Sequence, residues 1–175
     1  MEGAIYNLGV IEGLRQWKKF LKDNGFMVFS DLVWYTAEGP DVLTSYFTNE
    51  CHYILNVNEV INAATNEDYA VVYNFSIPKS EWLDEYIFPQ KLLIPELKEK
   101  STSVKETQKT FQAIEYENML VEKYLGYFGY EFFISRNNQI NLRSDNSIRI
   151  PDQISNLKFQ LFKKRIKKLR IRIIV

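Results

Sequence analysis

The 175-residue sequence contains only one cysteine, one histidine, five prolines and seven glycines. Because Cys51 stands alone, the chain cannot form an intrachain disulfide or a cysteine-rich metal site, which predicts a reducing compartment. No apolar run approaches the roughly 18 residues of a membrane span. The N-terminus also lacks the basic start and apolar core of a signal peptide. These absences predict a soluble, cytoplasmic protein.

The common catalytic motifs are absent as well. The sequence contains no GxGxxG loop, no phosphate-binding P-loop and no HExxH motif. Cys51 and His52 are adjacent, but one cysteine beside one histidine cannot form a zinc site by itself. Neighbouring residues of a strand point to opposite faces, so these two also have poor geometry for a nucleophilic pair. We therefore predict no metal site.

Charge is distributed unevenly, although 22 basic and 22 acidic residues balance overall. Residues 158–175 hold eight basic residues and no acidic ones, which leaves 14 basic against 22 acidic residues in the rest. This basic segment either packs on the acidic body, with Lys and Arg stems covering apolar surface, or contacts nucleic acid or an acidic protein. With 46% hydrophobic and 15% aromatic residues, the remainder can form one sizeable core. We predict a single domain over 1–175.

Hydrophobic spacing predicts the elements of the N-terminal half. An apolar residue at every third or fourth position over 4–24 predicts an amphipathic helix that ends at Asn24-Gly25. Two short strands are expected at 26–29 and 32–36, separated by a Ser-Asp turn. A helix at 41–49 should direct Val42 and Leu43 inward, together with Tyr46 and Phe47. A strand at 52–57 and a short helix at 58–66 follow.

The clearest strand covers 69–77, with large apolar residues on one face (Tyr69, Val71, Tyr73, Phe75, Ile77) and small ones on the other (Ala70, Val72, Asn74, Ser76). Pro78 ends this strand because proline has no N–H to donate. Two prolines predict an irregular connection over 86–100. Ser103 and Glu106 have capping-box spacing before a helix from 104 to about 125. Strands at 130–135, 139–143 and 147–150 complete a pattern typical of an α+β fold.

Four stretches of the sequence resemble small ADP-ribosyltransferase-like domains, including those of phages and their anti-defence proteins. One of these stretches is the strand-to-proline segment "VVYNFSIPKSEWLD" (71–84). It follows "VWYTAEG" (33–39) and "PDVLTSYF" (40–47) in the family's order, and "YLGYFGYEFFISRNNQINLRSDNSIRIPDQI" (124–154) is similar to the family's last strands. The resemblance covers about residues 26–155. It implies a split, mostly antiparallel sheet, and we expect the predicted N-terminal helix and the one long helix to pack on it.

The same resemblance implies a NAD-binding cleft and mono-ADP-ribosylation of a protein target. Tyr35 and Thr36 match the family's YxT strand, where an aromatic residue stacks on nicotinamide, and Tyr46 follows in the adjacent helix. Glu131 stands where the family carries an acid, whose carboxylate would stabilise the positive charge that develops as the glycosidic bond breaks. The expected catalytic residues are thus Glu131 and Tyr35, and the expected NAD-binding residues are Tyr35, Thr36 and Tyr46.

Other features depart from the family pattern and leave alternatives open. Glu115 and Glu117 have the family's Glu-x-Glu spacing but fall within a predicted helix, and the family's first-strand His or Arg is not identifiable. Tyr35 also fits a core or groove aromatic, and Glu131 also fits an exposed strand residue. The alternative functions are a non-catalytic binding protein of the inhibitor or immunity type and a nucleic-acid contact through the basic segment.

Overall fold

The computed structural model describes residues 5–23, 25–37, 39–50, 54–101 and 105–137. These residues form an α+β arrangement, as predicted, in which helices pack on a three-stranded antiparallel sheet. The strands are β1 (Phe26–Trp34), β2 (Tyr69–Ser76) and β3 (Phe128–Asn137). The α-helices are α1 (Val10–Trp17), α2 (Asp41–Glu50), α3 (Val57–Asn66), α4 (Lys79–Trp82), α5 (Phe88–Lys100) and α6 (Lys105–Tyr124).

The strand order is β1-β3-β2, so the last described strand lies in the middle of the sheet. Both outer strands are antiparallel to β3 and are therefore parallel to each other. The prediction of two short strands separated by a Ser-Asp turn is wrong. Ser30 and Asp31 continue the ladder opposite Phe132 and Glu131, because a buried polar residue can occupy a strand when its backbone is paired.

The predicted faces of β2 are also wrong in part. A register irregularity between Val71 and Tyr73 interrupts the alternation. Such a bulge redirects the side chains that follow it. Tyr69 and Val71 consequently pack with the core on one side of the sheet, whereas Tyr73 and Phe75 pack on the other.

The N-terminal helix is shorter than the predicted 4–24. A 3-10 turn at Ile5–Asn7 precedes α1, and a second at Lys18–Phe20 follows it. Gly9 separates the first 3-10 turn from α1, because its φ of 79° lies outside the helical region. The predicted helices at 41–49 and 58–66 are confirmed as α2 and α3, although Val42 is exposed rather than inward. Asn56 and Glu59 form a capping box that fixes the start of α3.

Residues 86–100 are not the irregular connection that their prolines predict. After α4 the chain forms a five-residue π-helix, Leu83–Ile87, and continues into α5. Pro89 lies in the first turn of α5, where no backbone donor is needed, and Pro95 is accommodated inside the helix. The long helix predicted from 104 is confirmed as α6.

Two cores cover the two faces of the sheet. Phe29 and Phe133 stack at 5.1 Å and pack with α1 and α3 on one face. Phe128 packs with α2, the π-helix and α6 on the other, beside a smaller group around Phe132. Because successive residues of β3 point to opposite faces, both cores share this central strand.

Several predictions fall outside the described residues. They include the Cys51-His52 pair, the Ser103 cap, the strands at 139–143 and 147–150, and the basic segment 158–175. Among the described helices, none is apolar over a length sufficient to cross a bilayer. The described ranges also contain no group of three His, Cys, Asp or Glu residues placed to hold a metal ion. The single-domain prediction stays a prediction.

Candidate functional site

Four side chains form a polar cluster at one end of the sheet: Tyr35, Asn74, Ser76 and Glu131. Glu131 is only 4% exposed, so the alternative of an exposed strand residue is wrong. The Asn74 amide donates a hydrogen bond of 2.5 Å to the Glu131 carboxylate from the neighbouring strand. On β1 the residue opposite Glu131 is Asp31, and on β2 it is Ser76. A buried carboxylate is therefore held by an amide between two flanking strands.

Tyr35 lies in the bend directly after β1, and its ring covers Gly129 of β3. A Cβ atom on Gly129 would lie 2.6 Å from the Tyr35 ring, so a side chain at this position would displace the ring. The Tyr35 backbone N–H donates to the carbonyl of Tyr127 at 2.8 Å, which fixes the bend. The residue remains 39% exposed. It forms the solvent side of the polar cluster, with Glu131 behind it.

The electrostatics of this cluster keep Tyr35 neutral. Burial, followed by the negative charge of Glu131, raises the pKa of Tyr35 to about 12, while a hydrogen bond with Ser76 opposes the shift. The phenol therefore keeps its proton to a higher pH than an unperturbed tyrosine, and it donates to the backbone carbonyl of Tyr130 at 3.5 Å. Together the two residues present an aromatic ring and a neutral hydroxyl in front of a negative charge. This combination suits a ligand that carries an ammonium group.

An aromatic cluster occupies the opposite face at the same end of the sheet. Its rings meet mostly edge to face, with centroids 4.9–6.3 Å apart. This geometry is the favourable one for aromatic pairs. Several members are only partly buried, so the cluster reaches the surface. It comprises Trp34, Phe47, Trp82, Phe128 and Tyr130, together with Tyr46 and Tyr116, which pack at 5.8 Å.

The four residues predicted for the site do not all lie together in the structure. It brings Tyr35 and Glu131 together, and Thr36 follows Tyr35 in the same bend. Tyr46 instead contacts Phe47 and Tyr116 in the aromatic cluster on the opposite face. Glu115, whose predicted helical setting departs from the family pattern, lies in α6 and pairs with Lys98 at 2.6 Å. Arg15 pairs with Glu67. Asn74 and Ser76 were predicted only as members of the small face of their strand and not as site residues.

Both clusters lie where the two parallel outer strands end. β1 ends at Trp34 and β2 at Ser76, and β3 begins beside them at Phe128. The Ile77 N–H donates to the carbonyl of Tyr130 at 3.0 Å and closes this end. The two clusters therefore lie on opposite faces of the same end of the sheet, where β3 begins.

No family model matches the chain, and no curated protein is significantly similar to it. Solved structures do match. A methyltransferase from Geobacter sulfurreducens that depends on S-adenosylmethionine (SAM), in complex with S-adenosyl-L-homocysteine, has a TM-score of 0.62 and 15% identity over 76% of this chain and 54% of its own. A Galdieria sulphuraria structure, a putative sarcosine dimethylglycine methyltransferase, has a TM-score of 0.58 and 13% identity over 78% and 51%.

A third match is phosphoethanolamine N-methyltransferase 2 from Haemonchus contortus with S-adenosyl-L-methionine, at a TM-score of 0.61 and 11% identity over 79% of this chain and 32% of its own. The described part of the chain has a methyltransferase-like fold. The chain spans about half the length of the first two of these structures. At these identities the likeness establishes the fold and leaves the activity open.

These matches correct the resemblance to ADP-ribosyltransferases. The NAD cofactor and the ADP-ribosylation of a protein are wrong with it, because the matching structures are methyltransferases, two of them in complex with SAM or S-adenosyl-L-homocysteine. The non-catalytic and nucleic-acid alternatives gain no support from them either. The error has a physical reason: a strand that ends at a proline before a short helix is a local motif that many sheets contain. Protein and nucleic-acid partners stay predictions.

The described residues do not by themselves fit a complete SAM site. A glycine-rich turn between a strand and a helix is how such sheets bring the backbone close to a nucleotide ligand. Between β1 and α2, a Cβ on Gly39 would lie 2.8 Å from the Trp34 ring, so this glycine makes room for the indole. The turn from β2 to α4 is Ile77-Pro78, without glycine. The two described strand-to-helix turns therefore do not bring the backbone close to a cofactor in this way.

Proposed function

We propose that this chain acts in SAM-dependent methyl transfer and that the polar cluster positions a small amine as the methyl acceptor. The observation that carries the proposal is the fold shared with several SAM-dependent methyltransferases. The polar cluster supports it further, because its aromatic ring and buried carboxylate can hold an amine.

The chemistry of the cluster favours an amine over a neutral or anionic acceptor. An ammonium group on the exposed face of Tyr35 gains a cation–π contact, and the buried carboxylate of Glu131 adds attraction from behind the ring. The bound ammonium must lose its proton to solvent before the transfer, because only the neutral amine has the lone pair that forms the new N–C bond. The Tyr35 hydroxyl itself donates to the backbone carbonyl of Tyr130 at 3.5 Å, which helps to hold the ring in this position. An anion would instead meet the negative charge of Glu131. The names of two matching structures include sarcosine and phosphoethanolamine, which are amines.

Ligand-observed NMR on the purified chain tests this acceptor class. We expect binding of sarcosine and much weaker binding of methoxyacetate, in which an ether oxygen replaces the amine nitrogen. Tyr35→Ala should weaken sarcosine binding about 5-fold, the size of a cation–π contact near 1 kcal/mol. Tyr127→Ala is the matched control, because both tyrosines are 39% exposed. Equal binding of the two ligands would contradict the amine class.

Transfer of a tritium-labelled methyl group from SAM tests the activity itself. We expect labelled sarcosine, with a lower rate in Glu131→Gln, which removes the charge and keeps the size of the side chain. If sarcosine binds and no label is transferred under any cofactor concentration, the chain holds an amine without methylating it. That result would contradict the proposed methyl transfer while leaving the amine site intact.

A further inference from the structure

The connection between α1 and β1 carries two exposed aromatic side chains. Phe20 ends the second 3-10 turn and is 74% exposed, and Phe26 begins β1 and is 52% exposed. Between them, the Gly25 N–H donates to the carbonyl of Lys22 at 2.8 Å and closes a turn. Single exposed apolar residues are normal on a protein surface, but two phenylalanine rings beside one turn indicate an interaction surface. We call residues 19–26 the α1–β1 turn.

Two lysines flank these rings. Lys19 and Lys22 are exposed, and neither forms an ion pair with another described residue. The ammonium group of Lys19 lies 5.1 Å from the centre of the Phe20 ring, so charge and apolar surface are adjacent. Asp23 is the one acidic residue of the turn, which leaves an excess of one positive charge. The neighbouring acids are already compensated, Asp68 by Lys18 at 2.8 Å and Glu67 by Arg15 at 2.7 Å.

The last described strand ends beside the same turn. The N–H of Asn137, at the end of β3, donates to the carbonyl of Gly25 at 2.9 Å. The sequence that continues from this point includes the basic segment 158–175, with eight basic residues and no acidic ones. Since the rest of the chain has 14 basic against 22 acidic residues, an anionic surface would attract the protein mainly from this side.

The exposure of the turn favours a lipid surface over a nucleic acid. Proteins bind single-stranded nucleic acids in basic grooves, where aromatic side chains stack on successive bases. With 74% of its surface accessible, Phe20 protrudes and has no wall beside it to form such a groove. A membrane interface instead accepts protruding aromatic rings at the boundary of headgroups and acyl chains, with lysines at the level of the anionic headgroups.

We propose that the α1–β1 turn docks reversibly on membranes that contain anionic lipids. Phe20 and Phe26 enter the boundary between headgroups and acyl chains, while Lys19 and Lys22 contact lipid phosphates. The basic segment 158–175 adds attraction at longer range. The turn lies at the start of β1, and the polar cluster lies beyond its other end. The two surfaces share no residue, so this proposal stands independently of the proposed methyl transfer.

Co-sedimentation of the full chain with lipid vesicles tests this surface. We expect binding to vesicles of phosphatidylcholine and phosphatidylserine at a ratio of about 7:3, and much weaker binding to phosphatidylcholine alone. Phe20→Ser should weaken binding about 5- to 30-fold, because one aromatic ring no longer leaves water. Lys22→Gln should weaken it about 5-fold, the contribution of one lysine at an anionic surface. Leu92→Ser is the control, because Leu92 is 80% exposed on α5, outside the turn.

Circular dichroism verifies that each variant folds, which exposed positions should permit. Absence of wild-type binding to the mixed vesicles overturns the proposal. Unchanged binding of Phe20→Ser also overturns it, since the attraction would then come from charge alone. An equal loss in Leu92→Ser would show that any exposed apolar side chain contributes, and the assignment to this turn would fail.

A nucleic-acid arm separates the two classes of anionic partner. Fluorescence anisotropy of a labelled oligouridine strand measures binding to the same proteins at the same salt concentration. We expect Phe20→Ser to bind the strand as the wild type does, because only the basic segment contributes there. If the wild type binds the strand more tightly than the vesicles and Phe20→Ser weakens that binding, the turn recognises nucleic acid and the proposal is overturned.

Discussion

At the end of the sheet, Asn74 donates a hydrogen bond to the buried carboxylate of Glu131. By contrast, Asn118 of α6 is only 2% exposed, and neither of its side-chain polar atoms has a partner among the described residues. Gln90 of α5 is also buried, and its Nε2 has no hydrogen-bond partner among the described residues. At this end of the sheet, cross-strand spacing places Asn74 where it can match the buried carboxylate. The sheet end is thus preorganised, and the helix pair keeps unused bonding capacity.

The largest effect in this comparison is expected from Asn74→Ala. This change leaves the buried Glu131 carboxylate without its amide donor, which should lower the free energy of unfolding by about 2–3 kcal/mol. Urea denaturation followed by circular dichroism measures it. Asn62→Ala, at an exposed position of α3, is the control and should change stability little. A similar small loss at Asn74 would mean that the sheet end is no better matched than the helix pair.

Much of this fold follows from local sequence patterns. The helices α2, α3 and α6 and the strand β2 were predicted from periodicity close to their observed positions. The failures occur where tertiary structure overrides a local signal. Pro95 lies inside α5 although proline disfavours helix interiors, and Ser30-Asp31 continues β1 although both residues favour turns.

The site was less predictable than the fold. Tyr35 and Glu131 were selected for a chemistry that proved wrong, yet they lie together because the Tyr35 ring extends back from the end of β1 across Gly129 of the neighbouring strand towards Glu131. The sequence contains no local signal for that pairing, since about a hundred residues separate the two strands. The aromatic cluster and Gln90 depend on the same long-range packing. A single sequence therefore predicted elements better than their juxtaposition.

A smaller effect is expected from Gly129→Ala, which tests how tightly the sheet end is packed. The added Cβ would lie 2.6 Å from the Tyr35 ring and should destabilise the protein by about 1–3 kcal/mol. In a Tyr35→Ala background the same substitution should cost much less, because the ring is gone. Equal costs in both backgrounds would show that the strain arises from the backbone instead.

Asn118→Leu tests the other region and should act in the opposite direction. Replacing a buried amide that lacks partners by an apolar side chain of similar size should raise the free energy of unfolding by about 1 kcal/mol. The urea midpoint should increase without a change in slope. A decrease would indicate that Asn118 is paired in solution, and the contrast between the two regions would disappear.

The smallest effect concerns the pH dependence at Tyr35. Its pKa is raised to about 12, above the value near 10 of an unfolded tyrosine, so between these values the unfolded chain has lost a proton that the folded chain retains. Stability from this group is therefore complete below pH 10 and is lost as the pH rises towards 12. Solvent screening at a residue that is 39% exposed keeps the loss modest. The pKa of Tyr69 is also raised by burial, and this residue is present in both the wild type and Tyr35→Phe. Subtracting the stability curve of Tyr35→Phe from that of the wild type therefore isolates the contribution of Tyr35. Coincident stability curves for wild type and Tyr35→Phe from pH 9 to 12 would mean that neither burial nor the Glu131 charge raises the pKa of the phenol, and the electrostatic basis for holding an ammonium group at this ring would be lost.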